Sequence, residues 1–156
     1  MTIIETSAES AEATELMEEL SAYLERLTGS SGKKSFNAAI MKDEKSIFVI
    51  AKDDDGKNVG CGAIRKIDNN TAELKRIYTR IRNHNYGKEI LKYLERKAEV
   101  FGYKKIVVET RKINEGAVNF YIHNGYSIIK NYGKYKGREE AICFEKKWDS
   151  ITTTST

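Results

Sequence analysis

The 156-residue sequence contains no proline, only two cysteines and two histidines, and a single tryptophan. Without proline, its turns have to be marked by glycine, asparagine and aspartate. Cys61 and Cys143 sit within apolar stretches, and reduced thiols in a cytoplasmic protein are the expected state. His84 and His123 have no cysteine near them, so no metal site is expected. Asp53-Asp54-Asp55-Gly56 lacks the alternate spacing and late glutamate of a calcium loop. No apolar run approaches the ~20 residues of a membrane span, and no signal-peptide pattern starts the chain, so no membrane partner is expected.

Apolar residues make up 40% of the chain and charged residues 32%, with a formal charge of +4 from 27 Lys and Arg against 23 Asp and Glu. Such a mild charge suits an anionic small molecule as well as a nucleic acid and selects neither. A chain of this length can bury one sizeable core, so one domain over residues 1–149 and a disordered tail at 150–156 are expected.

A short strand at Thr2–Glu5 leads to a helix that Thr6 and Glu9 would open as a capping box. Leu16, Met17, Leu20, Tyr23, Leu24 and Leu27 share one face of it, and Gly29 ends it. Ser35–Met41 is expected as a second, short helix. Ser46–Lys52, Val59–Ile67 and Ala72–Thr79 read as an antiparallel meander joined by the turns DDDGKN and DNNT. A helix over Gly87–Phe101 would bury Ile90, Leu91, Leu94, Ala98 and Phe101. Lys105–Thr110 has the continuous apolar run of a buried strand. Asn114–Asn124 is a helix closed by Gly125, and Tyr126–Asn131 and Ala141–Lys146 are a last pair of strands. This order, ααβββαβαββ with one strand ahead of it, gives an α+β fold around a mixed, mostly antiparallel central sheet flanked by helices.

The most informative stretch is Thr71–Leu91, TAELKRIYTRIRNHNYGKEIL. It reads as strand, short basic turn and helix start. The free N–H groups and positive dipole end of such a helix face into the turn, which is a recurring way to hold a phosphate.

Four segments resemble the GNAT superfamily of acyl-CoA-dependent N-acetyltransferases. VGCGAIRKID with AELKRIYT looks like the family's third and fourth strands, and IRNHNYGKEILKYLE like its pyrophosphate loop and helix. NEGAVNFYIHNGY looks like its N-x-x-A-x-x-x-Y segment, and NYGKYKGREEAICFEK like the closing hairpin of one bacterial-type subgroup. The likeness runs from about Ile47 to Trp148 and implies the GNAT fold. The loop departs from the family's R/Q-x-x-G-x-G/A pattern: it reads Arg82-Asn83-His84-Asn85-Tyr86-Gly87, with asparagine at both early glycine positions. It is also two residues shorter than usual between Thr79 and Arg82. Asparagine is the non-glycine residue that best tolerates positive φ.

The resemblance implies acetyl-CoA as co-substrate and transfer to an amine by direct attack in a ternary complex. Tyr121, seven residues after Asn114, matches the family's acid tyrosine; its other reading is packing of a helix on the sheet. Glu73 matches a frequent base position; its other reading is a solvated glutamate paired with Lys75 or Arg65. Ile77, Tyr78 and Thr79 would pair with the pantetheine arm like an added strand. Arg82, Asn83, His84, Asn85, Tyr86, Gly87 and Lys88 would hold the pyrophosphate, with Arg80 nearby, and Asn114 the pantetheine amide or its own helix N-cap. Tyr132 and Tyr135 either border the acceptor site or sit on a soluble hairpin tip. The acceptor expected is a small-molecule amine, with a protein amine as an alternative. A non-catalytic acyl-CoA-binding module and a basic nucleic-acid protein are the rivals. The last lacks a recognised motif, so no nucleic-acid partner is expected. Homodimerisation is possible.

Overall fold

The computed structural model describes residues 1–36, 41, 43–82 and 85–148. The expected 150–156 tail, Asn83, His84 and most of the expected Ser35–Met41 helix lie outside the described residues.

Among the described residues seven strands form one sheet: β1 (Thr2–Thr6), β2 (Ile47–Lys52), β3 (Asn58–Asp68), β4 (Thr71–Thr79), β5 (Lys105–Arg111), β6 (Ser127–Ile129) and β7 (Ala141–Lys147). Their order is β1-β2-β3-β4-β5-β7-β6. Only the β4–β5 pair is parallel. Three helices complete the fold: α1 (Ala11–Thr28), α2 (Tyr86–Val100) and α3 (Glu115–His123). This is the α+β GNAT fold expected from the sequence. No helix among the described residues is long and apolar enough to cross a membrane.

Strand alternation divides the core between two faces. Phe48, Ile50, Cys61 and Ala63 lie under Ala13 and Leu16 of α1. Val49, Ile64, Ala72, Leu74, Ile106 and Val108 pack with Ile90, Leu91, Leu94 and Ala98 of α2 and with Tyr121 of α3.

Helix ends follow local chemistry, with one correction. Thr6 is the last residue of β1, and the cap of α1 is Ser10, whose Oγ accepts from the Ala13 N–H at 3.1 Å. Extended pairing with β2 claims Thr6, and Ser7 turns the chain, its Oγ accepting from the Glu9 N–H at 3.0 Å, so Ser10 is the hydroxyl that opens the helix. At its other end Gly29 takes the left-handed conformation and its N–H donates to the Glu25 carbonyl. A 3₁₀ turn at Lys33–Ser35 follows. β6 stops at Ile129, two residues earlier than expected. Asn131 Nδ2 donates instead to the carbonyls of Tyr135 and Arg138 at 3.1 and 2.9 Å, gathering the loop that follows.

Two irregularities prepare the site. First, β4 and β5 pair only over Thr71–Glu73 and Lys105–Val107 and then part. Second, β4 bulges against β3. Cys61 faces Tyr78 and Ala63 faces Lys75, so Arg76 and Ile77 together oppose Gly62, with Arg76 at a φ of +56°. The bulge requires close approach of the two backbones. A Cβ on Gly60 would stand 2.6 Å from the Tyr78 carbonyl oxygen and 2.9 Å from Ile90 Cδ1. The nearer obstacle is backbone, so Gly60→Ala is expected to destabilise the protein by about 1–3 kcal/mol. Urea denaturation checks this; an unchanged midpoint would show that β4 shifts freely there.

Candidate active site

The parting strands open two cavities that meet. The larger, about 680 Å³, is lined by Ile77, Tyr78 and Thr79 of β4, Arg80–Arg82 of the turn and Asn85–Lys88 at the start of α2, and by Asn114 and Tyr121. Asn85 has a φ of +60° and does not cap α2 with its side chain. The expected tolerance of asparagine for a left-handed backbone is thus realised at Asn85. The start of α2 therefore aims backbone donors and the positive dipole end at the cavity. Gly87 packs tightly there, since a Cβ would lie 3.3 Å from the Phe120 ring.

The two arginines of the turn differ. Arg80 is occupied by α1: its guanidinium contacts Glu15 and Glu19 at 2.6 Å and donates to the Asn58 carbonyl at 2.9 Å. The Glu19 hydrogen bonds push its pKa further up. Arg82 is exposed, donates to the Tyr23 hydroxyl at 3.0 Å and lies over that ring. Arg82 and Lys88 are thus the accessible cations of this cavity.

The second cavity, about 370 Å³, reaches through the sheet between β4 and β5. Its wall includes Lys75 and Arg76 of β4, Glu109 and Arg111 of β5, and Lys134, Tyr135 and Arg138 of the loop before β7. The loop around the 3₁₀ turn Gly133–Tyr135 is not a soluble hairpin tip. It folds onto the sheet, burying Tyr135 against Ala141 and Cys143.

Glu73 lies behind this wall and lines neither cavity. It is 1% exposed. Its Oε1 accepts from Arg65 Nε at 2.8 Å, and its Oε2 accepts from the Tyr132 hydroxyl at 2.5 Å. Lys75 Nζ stands 3.7 Å away and donates to the Tyr135 hydroxyl at 3.1 Å. Burial lowers the Lys75 pKa, with Glu73 opposing the shift. Of the two loop tyrosines, Tyr135 faces the cavity and Tyr132 closes the Glu73 cluster.

Glu109 is different. It is half-buried, lines the second cavity, and has no side-chain hydrogen bond or ion pair among the described residues. Burial raises its pKa above the ordinary 4.5, against the pull of Lys75 and Arg111. The sequence reading missed it. The available signal was one carboxylate at the end of the apolar run KIVVET, on the same strand face as Val107.

Tyr121 stands where the cavities join, lining both together with Leu20, Ile77, Asn114 and Ala117. Its ring is fixed by Tyr126, Phe120 and Phe144 at centroid distances of 5.3–5.7 Å. Its hydroxyl has no hydrogen-bond partner among the described residues. Burial, with Glu109 next, pushes its pKa up. Asn114 N-caps α3, its Oδ1 accepting from the Ala117 N–H at 3.2 Å.

Of the site residues expected from the sequence, Ile77, Tyr78, Thr79, Arg82, Asn85, Tyr86, Gly87, Lys88, Asn114 and Tyr121 therefore share one cavity. Asn83 and His84 lie outside the described residues. No cluster of His, Cys, Asp and Glu placed to hold a metal ion occurs among the described residues.

The sheet is mixed, and its two central parallel strands part beside a cavity lined by the start of α2. The acetyltransferase (GNAT) family model matches residues 12–126, and the chain belongs to that family. No curated protein is matched by the sequence. A candidate acyl-CoA N-acyltransferase from Klebsiella pneumoniae superposes with a TM-score of 0.81 at 24% identity, over 94% of this chain and 96% of that one. A GNAT family acetyltransferase from Elizabethkingia anophelis with acetyl-CoA bound superposes at 0.68, with 22% identity over 94% and 97%. An aminoglycoside 6'-acetyltransferase type Ii superposes at 0.65, with 21% identity over 94% and 97%. At these identities the likeness is one of fold.

The Glu73 cluster holds the closed end of the strand pair. Glu73→Ala would leave Arg65 and Lys75 without their counter-charge and is expected to cost about 3 kcal/mol of stability. Denaturant titration checks this, and an unchanged midpoint would remove the scaffold role from Glu73.

Proposed function

We propose that the protein transfers the acetyl group of acetyl-CoA to a primary amine of a small molecule, by direct attack in a ternary complex. The observation that carries this reading is the junction of the two cavities at Tyr121. A thioester delivered from one side and an amine from the other would meet at the unpartnered hydroxyl of a buried tyrosine.

In this reading the β5-facing edge of Ile77–Thr79 pairs with the pantetheine arm as an added strand. Arg82, Lys88 and the first N–H groups of α2 meet the pyrophosphate. The amine nitrogen bonds to the thioester carbonyl carbon, a backbone N–H of the β4 edge supports the developing oxyanion, and the C–S bond breaks. Tyr121 donates its hydroxyl proton, or a strong hydrogen bond, to the leaving thiolate. Burial raises the Tyr121 pKa, which favours the strong hydrogen bond over full proton transfer.

The proton shed by the nitrogen needs an acceptor. Glu73 is poorly placed for this, because both its oxygens are engaged and it faces neither cavity. We assign the role to Glu109, whose carboxylate lines the acceptor cavity without a hydrogen-bond partner. Burial makes it a stronger base than an ordinary glutamate.

Thiol release from acetyl-CoA with a panel of amines tests the activity; binding of acetyl-CoA without turnover on any of them would favour a non-catalytic module. Tyr121→Phe keeps the ring contacts and is expected to lower kcat by about 10²-fold with little change in the KM for acetyl-CoA. An unchanged kcat would remove Tyr121 from the acid role.

Glu109 works as the carboxylate, and its pKa is raised. Activity is therefore lost as pH falls through a value above 4.5. Glu109→Gln is expected to abolish that limb of the kcat/KM profile and to lower the rate by at least about 10²-fold. A profile that keeps the limb would exclude Glu109 as the base.

A further inference from the structure

We infer that the acceptor is an amine that also carries an anionic group, a carboxylate or a phosphate, gripped by the cationic wall of the 370 Å³ cavity. This rests on the acetyl-transfer reading, which fixes the amine end of the molecule at Glu109 and Tyr121.

The cavity is lined by six basic side chains, Lys34, Lys75, Arg76, Arg111, Lys134 and Arg138, against two acidic ones, Glu109 and Glu140. Two of the six have internal work. Lys75 serves Tyr135 and Glu73, and Arg76 Nη2 donates to Ser21 Oγ at 3.0 Å while its Nη1 reaches the Ser31 carbonyl at 3.4 Å. Lys34, Arg111, Lys134 and Arg138 form no ion pair among the described residues. This contrasts with Arg80 on the other side of the site, which Glu15 and Glu19 neutralise. Uncompensated charge of one sign along a recess raises the local concentration of ligands of the other sign.

The arrangement also has direction. Glu109 and Arg111 are two residues apart on β5 and share a strand face, which separates their Cα atoms by about 7 Å. Arg111 pairs in register with Ala141, beside the loop that brings Lys134 and Arg138 to the same rim. An amine seated at Glu109 and Tyr121 would thus present a group some five or six bonds away to this rim. A carboxylate or phosphate there meets several donors; a second ammonium meets Arg111, Lys134 and Arg138 against the single acid Glu140. The phosphates of coenzyme A are not the occupants, because Arg82 and the start of α2 line the other cavity, beyond Tyr121.

The test is calorimetric binding to the protein saturated with coenzyme A, using four probes of one length: 6-aminohexanoate, 6-aminohexyl phosphate, hexylamine and 1,6-diaminohexane. At least one anionic probe is expected to bind about tenfold or more tightly than hexylamine, with the diamine weakest. The comparison of carboxylate with phosphate identifies the group. Hexylamine or the diamine binding as well as both anions overturns the inference. Lys134 and Arg138 are exposed, so the double variant K134E/R138E should fold, and it is expected to erase about tenfold of the anionic preference. A preference that survives in the variant overturns the assignment to this wall. Thiol release from acetyl-CoA is followed in parallel with the same probes. Selective anion binding without release would leave the anion site standing and overturn the acetyl-transfer reading instead.

Discussion

Everything at the site depends on two strands that pair for three residues and then part. β4 and β5 are joined over Thr71–Glu73 and Lys105–Val107, and beyond that the edge of β4 no longer serves the sheet. An unpaired strand edge carries a row of backbone donors and acceptors that must find partners in water or in a ligand. Here it is left open inside the fold. Its closed end is fixed by Glu73, held from Arg65 on the neighbouring strand and from Tyr132 on a distant loop. Its open end is turned aside by the bulge at Arg76 and Ile77, which Gly60 and Gly62 admit by having no side chain. Cost is concentrated at these points: a buried carboxylate and a left-handed arginine are both unfavourable alone.

The same constraint divides the basic residues into three groups with different work. Some are spent inside the scaffold, Arg65 and Lys75 on Glu73 and Arg76 on Ser21. Arg80 is spent on the acids of α1, which ties that helix over the bulged half of β4. The others that line the cavities, Arg82 and Lys88 on one side and Lys34, Arg111, Lys134 and Arg138 on the other, form no ion pair among the described residues. The formal charge of +4 could not distinguish these groups, because it counts them alike.

Much of the fold was legible because its signals are local. The alternation in IFVIAK, the spacing Ile90, Leu91, Leu94, Ala98, and asparagine where the backbone turns left-handed at Asn85 are each decided within a few residues. Most of the expected residues that line the 680 Å³ cavity come from one stretch, Ile77–Lys88, and their grouping was legible for that reason. The 370 Å³ cavity was not. That Glu73 is saturated depends on Tyr132, 59 residues later, and that Glu109 is not depends on where β4 and β5 separate. In sequence the two glutamates look alike, each one acid on a strand. Thr6 was read as the helix cap for a smaller version of the same reason, since pairing with β2 holds it in the strand and leaves the cap to Ser10 beyond the turn at Ser7.

Burial at the junction acts on both titratable groups in the same direction, and for the proposed chemistry that is useful twice. Withdrawing water raises the pKa of a phenol and of a carboxyl alike, because both ionise to anions. For Tyr121 the consequence is a phenol that shares its proton with a leaving thiolate in a hydrogen bond rather than releasing it. For Glu109 the consequence is a carboxylate brought closer to the basicity of the nitrogen it would relieve. Each anion also discourages the other, and Glu109 adds to the upward shift of Tyr121. Lys75 and Arg111 oppose the shift by pulling Glu109 back down. Moving either cation away from the junction would therefore raise the Glu109 pKa further and favour its protonation, which in turn would remove the Glu109 contribution to the upward shift of Tyr121. The cationic wall and the acid–base pair are in this sense one electrostatic unit, built on the gap between β4 and β5.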